Sequence, residues 1–237
     1  MIAWAAVDVL EGRAVRLRQG RRETATDYGE ALEAVARWAE AGLRALHLVD
    51  LGAAFGGAPS LAPLLRSASG RWPKLALQAG GGIGSAGDAL RLAEAGASRV
   101  VAGSLLFRDR AEALRLASAL GPGRSVAALD VRAGRVKVSG WRADAGAGLH
   151  EAMAMAAEMG YGEVLVTDIE RDGVMAGPNL ELYGGLPEGA ACIASGGVRD
   201  AQDLQHLAAL PGVAGAIVGR ALYEGTVRPS ELAEYQP

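Results

Sequence analysis

One pattern is written twice along this chain of 237 residues. Ala5-Ala6-Val7-Asp8-Val9 returns as Ala127-Ala128-Leu129-Asp130-Val131, and in both copies an apolar run ends in one aspartate ahead of a Gly-Arg turn. His47-Leu48-Val49-Asp50 is answered by Leu165-Val166-Thr167-Asp168, and Gln78-Ala79-Gly80-Gly81-Gly82-Ile83 by Ala194-Ser195-Gly196-Gly197-Val198. Val101-Ala102-Gly103-Ser104 is answered by Ile217-Val218-Gly219-Arg220, and the four offsets are 122, 118, 115 and 116 residues. Matched landmarks at nearly one spacing predict two homologous halves, about 1–122 and 123–237. Each landmark closes a short apolar run, so each half should carry a carboxylate and a glycine-rich turn at strand ends.

The strand signals fall at Ile2–Val7, Ala45–Val49, Leu75–Ala79, Arg99–Ala102, Ser125–Leu129, Glu163–Val166, Ala191–Ala194 and Ala216–Val218. Most lack strict alternation, as expected of strands covered on both faces. Helical patterns lie between them. Glu30–Ala41 puts Leu32, Val35, Ala36 and Ala39 on one stripe and stops at Gly42. Ser85–Ala95 opens on Ser85 and Asp88, a capping-box-like pair, and Asp200 with Asp203 opens its counterpart. Ala111–Leu120 and Leu149–Met159 are the other clear helices. Eight strands in βα alternation favour a closed parallel barrel, and two four-unit halves can complete one ring. The predicted fold is therefore α/β: one (β/α)8 TIM barrel domain spanning 1–237, a length ordinary for such barrels.

Composition removes several function classes. A net charge of −3 gives no general electrostatic reason to bind nucleic acid. The lone Cys192 forms no internal disulfide and fits a reducing compartment. The N-terminal apolar stretch is broken by Asp8 and lacks a basic region before it, unlike a signal peptide. No run approaches the ~18 apolar residues of a membrane span. His47, His150 and His206 have no ligand spacing, and neither HExxH nor CxxC occurs, so no metal or cofactor is expected. His47 reads as core. A cytoplasmic monomer without a membrane or nucleic-acid partner is the expectation.

In such barrels the active site forms where strands end and βα loops begin. Those positions hold Asp8, Asp50, Gly81-Gly82, Gly103-Ser104, Asp130, Thr167-Asp168, Ser195-Gly196-Gly197 and Gly219-Arg220. An aspartate after a strand is usually a turn former or helix cap. No helix start follows Asp8 or Asp130, however, and the repeat puts them on opposite sides of the mouth. Glycine doublets can serve left-handed turns or close packing. They can also let backbone N–H groups reach a phosphate, with the next helix N-terminus adding favourable potential. Two such cradles, one with Arg220 for a charge-assisted bond, suit a ligand phosphorylated at both ends. Trp141 is either core filler or an aromatic platform. Gln19–Thr26, which includes Gly20, Arg21 and Arg22, reads equally as a solvated loop or a charged lid.

The residues just named, with the stretch from Thr167 to Leu182, Val218-Gly219-Arg220-Ala221-Leu222-Tyr223 and Gly140-Trp141, make the chain resemble the isomerases of histidine biosynthesis. Those enzymes convert ProFAR, a bisphosphorylated aminoimidazole carboxamide ribotide, to its ribulosyl isomer PRFAR. The sister cyclases share the doubled half-barrel but do not usually carry the Val-Arg-Leu-x-Gln-Gly pattern found from Val15 to Gly20. The resemblance implies an Amadori rearrangement with Asp8 as general base, Asp130 as general acid and Thr167 assisting. It also implies substrate contacts from Arg16, Gln19, Gly20, Trp141, Gly173 and Gly177, with Asp168 orienting the site.

Departures from the family pattern are Gly52 for a second aspartate, Gly84 for an arginine and Ser60 for an asparagine. Family members that also isomerise phosphoribosylanthranilate tend to carry arginine where Ser139 stands. Ala53-Ala54-Phe55-Gly56 nonetheless resembles those members. A dual-substrate isomerase and a non-catalytic phosphosugar-binding paralogue are the alternatives; retention of Asp8, Asp130 and Thr167 opposes the latter.

Overall fold

Eight parallel strands follow one another around a closed ring in chain order. They are β1 (Ile2–Leu10), β2 (Ala45–Asp50), β3 (Ala76–Gly80), β4 (Arg99–Ala102), β5 (Ser125–Arg132), β6 (Glu163–Asp168), β7 (Cys192–Ser195) and β8 (Val213–Val218). β1 pairs with both β2 and β8, so the ring leaves no edge. This computed structural model, which describes residues Met1–Gln236, is a (β/α)8 TIM barrel. No helix among the described residues is long and apolar enough to cross a membrane.

Alternate strand residues point into the ring. Trp4, Ala6, Ala45, Val101, Val126, Leu165, Ile193 and Ile217 form the inner cluster, while Val7, Leu46, Leu48, Leu77, Leu129 and Val166 belong to the larger core under the helices. Both faces are therefore apolar, which explains the missing alternation. His47 is buried, as the strand pattern predicts, and Gln78 Nε2 lies 2.9 Å from its Nδ1. Burial, aided by the charges of Arg16 and Arg99, lowers its pKa to about 3. The ring is neutral and structural.

The predicted helices are present as Ala31–Glu40, Ala86–Glu94, Arg110–Leu120, Leu149–Glu158 and Ala201–Ala208. Ser85 and Asp200 cap their helices by accepting from Asp88 N and Asp203 N, each at 3.1 Å. The stripe assigned to the first helix needs correction. Its buried residues are Ala31, Ala34, Val35, Trp38 and Ala39, and Leu32 is 37% exposed. Turning the Trp38 ring inward buries far more apolar surface than Leu32 could.

β1 and β5 do not stop at their aspartates. Each continues into a hairpin laid across the C-terminal mouth: Arg13–Arg18 with Arg21–Glu30 after β1, and Arg135–Val138 with Ala143–Gly148 after β5. Three tight turns have positive φ at both central residues: Glu11-Gly12 (53°, 80°), Gln19-Gly20 (51°, 68°) and Ala133-Gly134 (48°, 74°). This is the type I′ geometry that matches strand twist. Gln19–Thr26 is therefore a hairpin turn and strand, not a loop, because twist-matched turns and ladder bonds satisfy its backbone.

Candidate active site

Asp8 on β1 and Asp130 on β5 stand four strands apart in the eight-strand ring, on opposite sides of the mouth. Both carboxyls are half-buried, and neither caps a helix, since strand continues past each. Register puts Thr167 of β6 directly beside Asp130, and its hydroxyl and the Trp141 indole N–H both favour the charged form of that carboxyl. Burial pushes the Asp130 carboxyl above its ordinary range against those two donors. Burial also raises Asp8, opposed by Arg16, whose Nη1 lies 2.8 Å from Asp8 Oδ2. A third carboxylate completes the arrangement. Asp172, in the loop after β6, is raised to about 6 by burial and by the charges of Asp8 and Asp130, against the pull of Arg16.

The two hairpins bring the distant pieces together. Ser139, Gly140 and Trp141 have φ of 57°, 65° and 68°. A bulky aromatic in the left-handed region is strained and persists only when its surroundings fix it. Three contacts do so here. The indole N–H lies close enough to Asp130 to favour its charged form. Its ring packs on Gly20, where a Cβ would come within 2.6 Å of it. Next to it, Ser139 N–H donates to Ser104 Oγ at 3.0 Å. Trp141 is thus half-buried at the mouth rather than part of the core. On the first hairpin, Gln19 donates from its backbone N to Asp172 O and from Nε2 to Glu170 O, both at 3.0 Å. Gly173 packs on Leu17 O with no room for a Cβ. The first hairpin is therefore fastened to the loop carrying Asp172.

A pocket between the first hairpin and the last two strands collects Arg16, Asp172, Gly173, Ser195, Gly196, Gly197, Gly219 and Arg220. Arg220 Nη1 donates to Gly173 O at 3.1 Å, and its Nε lies 3.3 Å from Glu224 Oε1. Gly103 and Ser104 lie across the mouth, where Ser104 takes the Ser139 N–H. The glycine doublets also serve close packing. A Cβ at Gly81 would strike the Asp50 backbone, one at Gly82 the Ala53 backbone, and one at Gly197 the backbone of Gly177.

Asp50 and Asp168 face their own loops. Asp50 accepts from Ala53 N (2.9 Å), Ser60 N (2.6 Å) and Ser60 Oγ (3.0 Å). Asp168 accepts from Glu170 N (2.9 Å) and Asn179 Nδ2 (2.7 Å). Each carboxylate ties a strand end to the N-cap of a following helix, Ser60 in one case and Asn179 in the other. At Gly84, Arg108 Nη2 donates to the carbonyl at 3.2 Å, while Asp88 accepts the Gly84 N–H and pairs with Arg91. At the matching place after β7, Arg199 is held by Asp203 through both Nε and Nη2.

Asp172 was not among the sequence candidates. It lies within the Thr167–Leu182 stretch, but as a loop residue four positions past the strand end it gave no placement signal. No group of three or more His, Cys, Asp or Glu suited to a metal ion occurs among the described residues. The arrangement offers a carboxylate base beside a cation, two carboxyls disposed to hold protons, and glycine-lined anion space.

Comparisons with known proteins agree over nearly the whole length. The profile of the histidine biosynthesis protein family matches residues 2–228. A relative from Thermomicrobium roseum is 44% identical over 231 residues, covering 96% of this chain and 94% of its own. One from Marinobacter nauticus is 38% identical over 245 residues (99% and 98%), and one from Rubrobacter xylanophilus 42% over 236 (98% and 95%). All three carry the name 1-(5-phosphoribosyl)-5-((5-phosphoribosylamino)methylideneamino)imidazole-4-carboxamide isomerase.

Proposed function

The chain belongs to the histidine biosynthesis protein family, and from that premise we propose that it is the isomerase converting ProFAR to PRFAR, with Asp8 and Asp130 as its reacting carboxyls. The observation that carries the reading is the pair itself: two carboxyls of raised proton affinity facing each other across one barrel mouth. An Amadori rearrangement needs one group to give a proton and one to take a proton. The acid protonates the ribose ring oxygen, and the C1–O bond breaks to leave a protonated imine. That cation acidifies the C2 hydrogen. Asp8, whose charged form Arg16 favours, removes it, and the resulting enolamine tautomerises to the ketose.

Asp130 is the proposed acid, with Thr167 and Trp141 orienting it. A specific observation favours Asp172 as a second proton donor: its pKa of about 6 keeps a protonated fraction near neutrality, which an ordinary aspartate lacks. Substrate phosphate would raise that fraction further. The glycine turns after β3 and β4, and those after β7 and β8, are proposed to take the two terminal phosphates, with Arg16 and Arg220 at the second end.

The chain is read as one domain of two homologous half-barrels, 1–122 and 123–237, acting as a cytoplasmic monomer on a small bisphosphorylated substrate. The like use of Asp50 with Ser60 and of Asp168 with Asn179 supports the duplication.

Turnover assays on purified protein test the assignment, using ProFAR and phosphoribosylanthranilate in parallel. Asp8→Asn and Asp130→Asn should each lower kcat by roughly 10²–10⁴ while ligand binding persists. Near-normal turnover in either variant would remove that residue from the chemistry. Tight ProFAR binding by the unaltered protein without PRFAR formation would make the chain a binding protein instead.

A further inference from the structure

Arg16 is the one site residue whose hydrogen bonding is left incomplete. Its side chain is nine-tenths buried, yet Nε has no acceptor, and Nη1 approaches Asp8 Oδ2 at 2.8 Å without the alignment of a hydrogen bond. A buried guanidinium N–H without a partner is costly and marks a place where an acceptor belongs. The geometry says which acceptor. The guanidinium lies against the Gly219 α-carbon, leaving no space for a Cβ, and lines the same pocket as Ser195, Gly197 and Arg220. One face of Arg16 thus meets Asp8 and another meets the glycine-lined anion space.

We propose that Arg16 is shared between Asp8 and the phosphate held at Gly197 and Gly219, so that seating this phosphate draws the guanidinium from Asp8 and makes the carboxylate a stronger base. The inference rests on the isomerase reading above. A phosphate dianion brings two charges and several acceptor oxygens, and the guanidinium fork matches it in two-pronged fashion. Before it binds, the Arg16 charge offsets part of the rise in proton affinity that burial gives Asp8. Afterwards that offset weakens and the affinity rises further. Asp172, which feels the same Arg16 charge, holds its proton more firmly. Both changes run in the direction the reaction needs. The remote phosphate therefore acts on the chemical step as well as on binding, the use of non-reacting substrate parts that raises kcat rather than affinity alone.

The test uses unaltered protein, Arg16→Gln and Arg16→Lys. Each is assayed with ProFAR and with the two analogues lacking one or other phosphate, with and without phosphite dianion. With the unaltered protein, phosphite should raise turnover of one analogue by about tenfold or more, the scale on which a neighbouring arginine shifts an aspartate. Arg16→Gln should show little or no stimulation. Arg16→Lys keeps the charge without the fork, guards against a folding failure of the glutamine variant, and should lose most of the stimulation. Equal stimulation in the variants, or none of either analogue with the unaltered protein, overturns the proposal. Absence of ProFAR turnover by the unaltered protein brings down the isomerase reading first, and this inference with it.

Discussion

Asp172 carries the clearest consequence of burying a carboxyl in this mouth, with the charges of Asp8 and Asp130 adding to the effect. Its pKa is about 6 in the fold against 3.8 for an ordinary aspartate, so the fold prefers its protonated form. The stability this contributes is complete below pH about 4 and is lost as pH rises through about 6. Asp172→Asn keeps the shape without the titration. It should match the natural protein in urea denaturation near pH 4 and exceed it by up to about 3 kcal/mol at pH 8. A constant difference across that range would show that ionisation of Asp172 is not what costs stability. Asp8, Asp130 and Thr167 were readable from sequence because a strand end fixes where a side chain goes. Asp172 was not, since its place depends on a loop tied to Gln19 from another part of the chain.

At the scale of elements, the hairpins are where sequence reading and structure part. Apolar patterning ends near Asp8 and Asp130, but backbone pairing goes on. The continuing strand Arg21–Glu30 is mostly exposed and polar, and Ala143–Gly148 turns only the small Ala145 and Ala147 inward, too little apolar surface to leave a clear period. Their I′ turns depend on left-handed residues, and Ala133 pays for that geometry without asparagine's local hydrogen bonding. Ala133→Asn at this exposed turn should raise stability by about 0.5–1 kcal/mol in a urea titration. An unchanged midpoint would mean that this turn is not a weak point. The helix Leu61–Arg71 is not among the predicted helices, since Pro63, Ser67, Ser69 and Gly70 blur its pattern. Pro63 sits in the first turn, where its missing N–H has no intrahelical partner to lose.

At the scale of the molecule, a closed ring must hold its first and last elements together. The ladder between β1 and β8 does this, and Gln236 ties the C-terminal segment to the starts of β1 and β2 at the floor of the barrel. Its Nε2 donates to Ala3 O (2.7 Å) and Ala45 O (3.1 Å), and its Oε1 accepts from Arg44 N (2.6 Å). Tyr235 O accepts from Ala3 N at 2.9 Å. Gln236→Ala should cost about 2–3 kcal/mol through unmet backbone groups, read as a lower Tm with one cooperative transition. A separate early transition would instead indicate that the terminus detaches without loosening the ring.

The ring of eight strands, the two facing aspartates and the glycine turns beside them all follow from the amino-acid sequence. Each depends on local periodicity or on a repeat visible at one offset, and side-chain direction along a strand follows from the backbone. Which residues share the mouth is set by long-range packing. Asp172 beside Arg16, Trp141 over Gly20 and against Asp130, and Arg16 between Asp8 and Gly219 are contacts between segments far apart in the chain. They are made by two hairpins folded over the barrel. A hairpin's direction is set by turn geometry and by what it lands on, and neither leaves a period in the sequence.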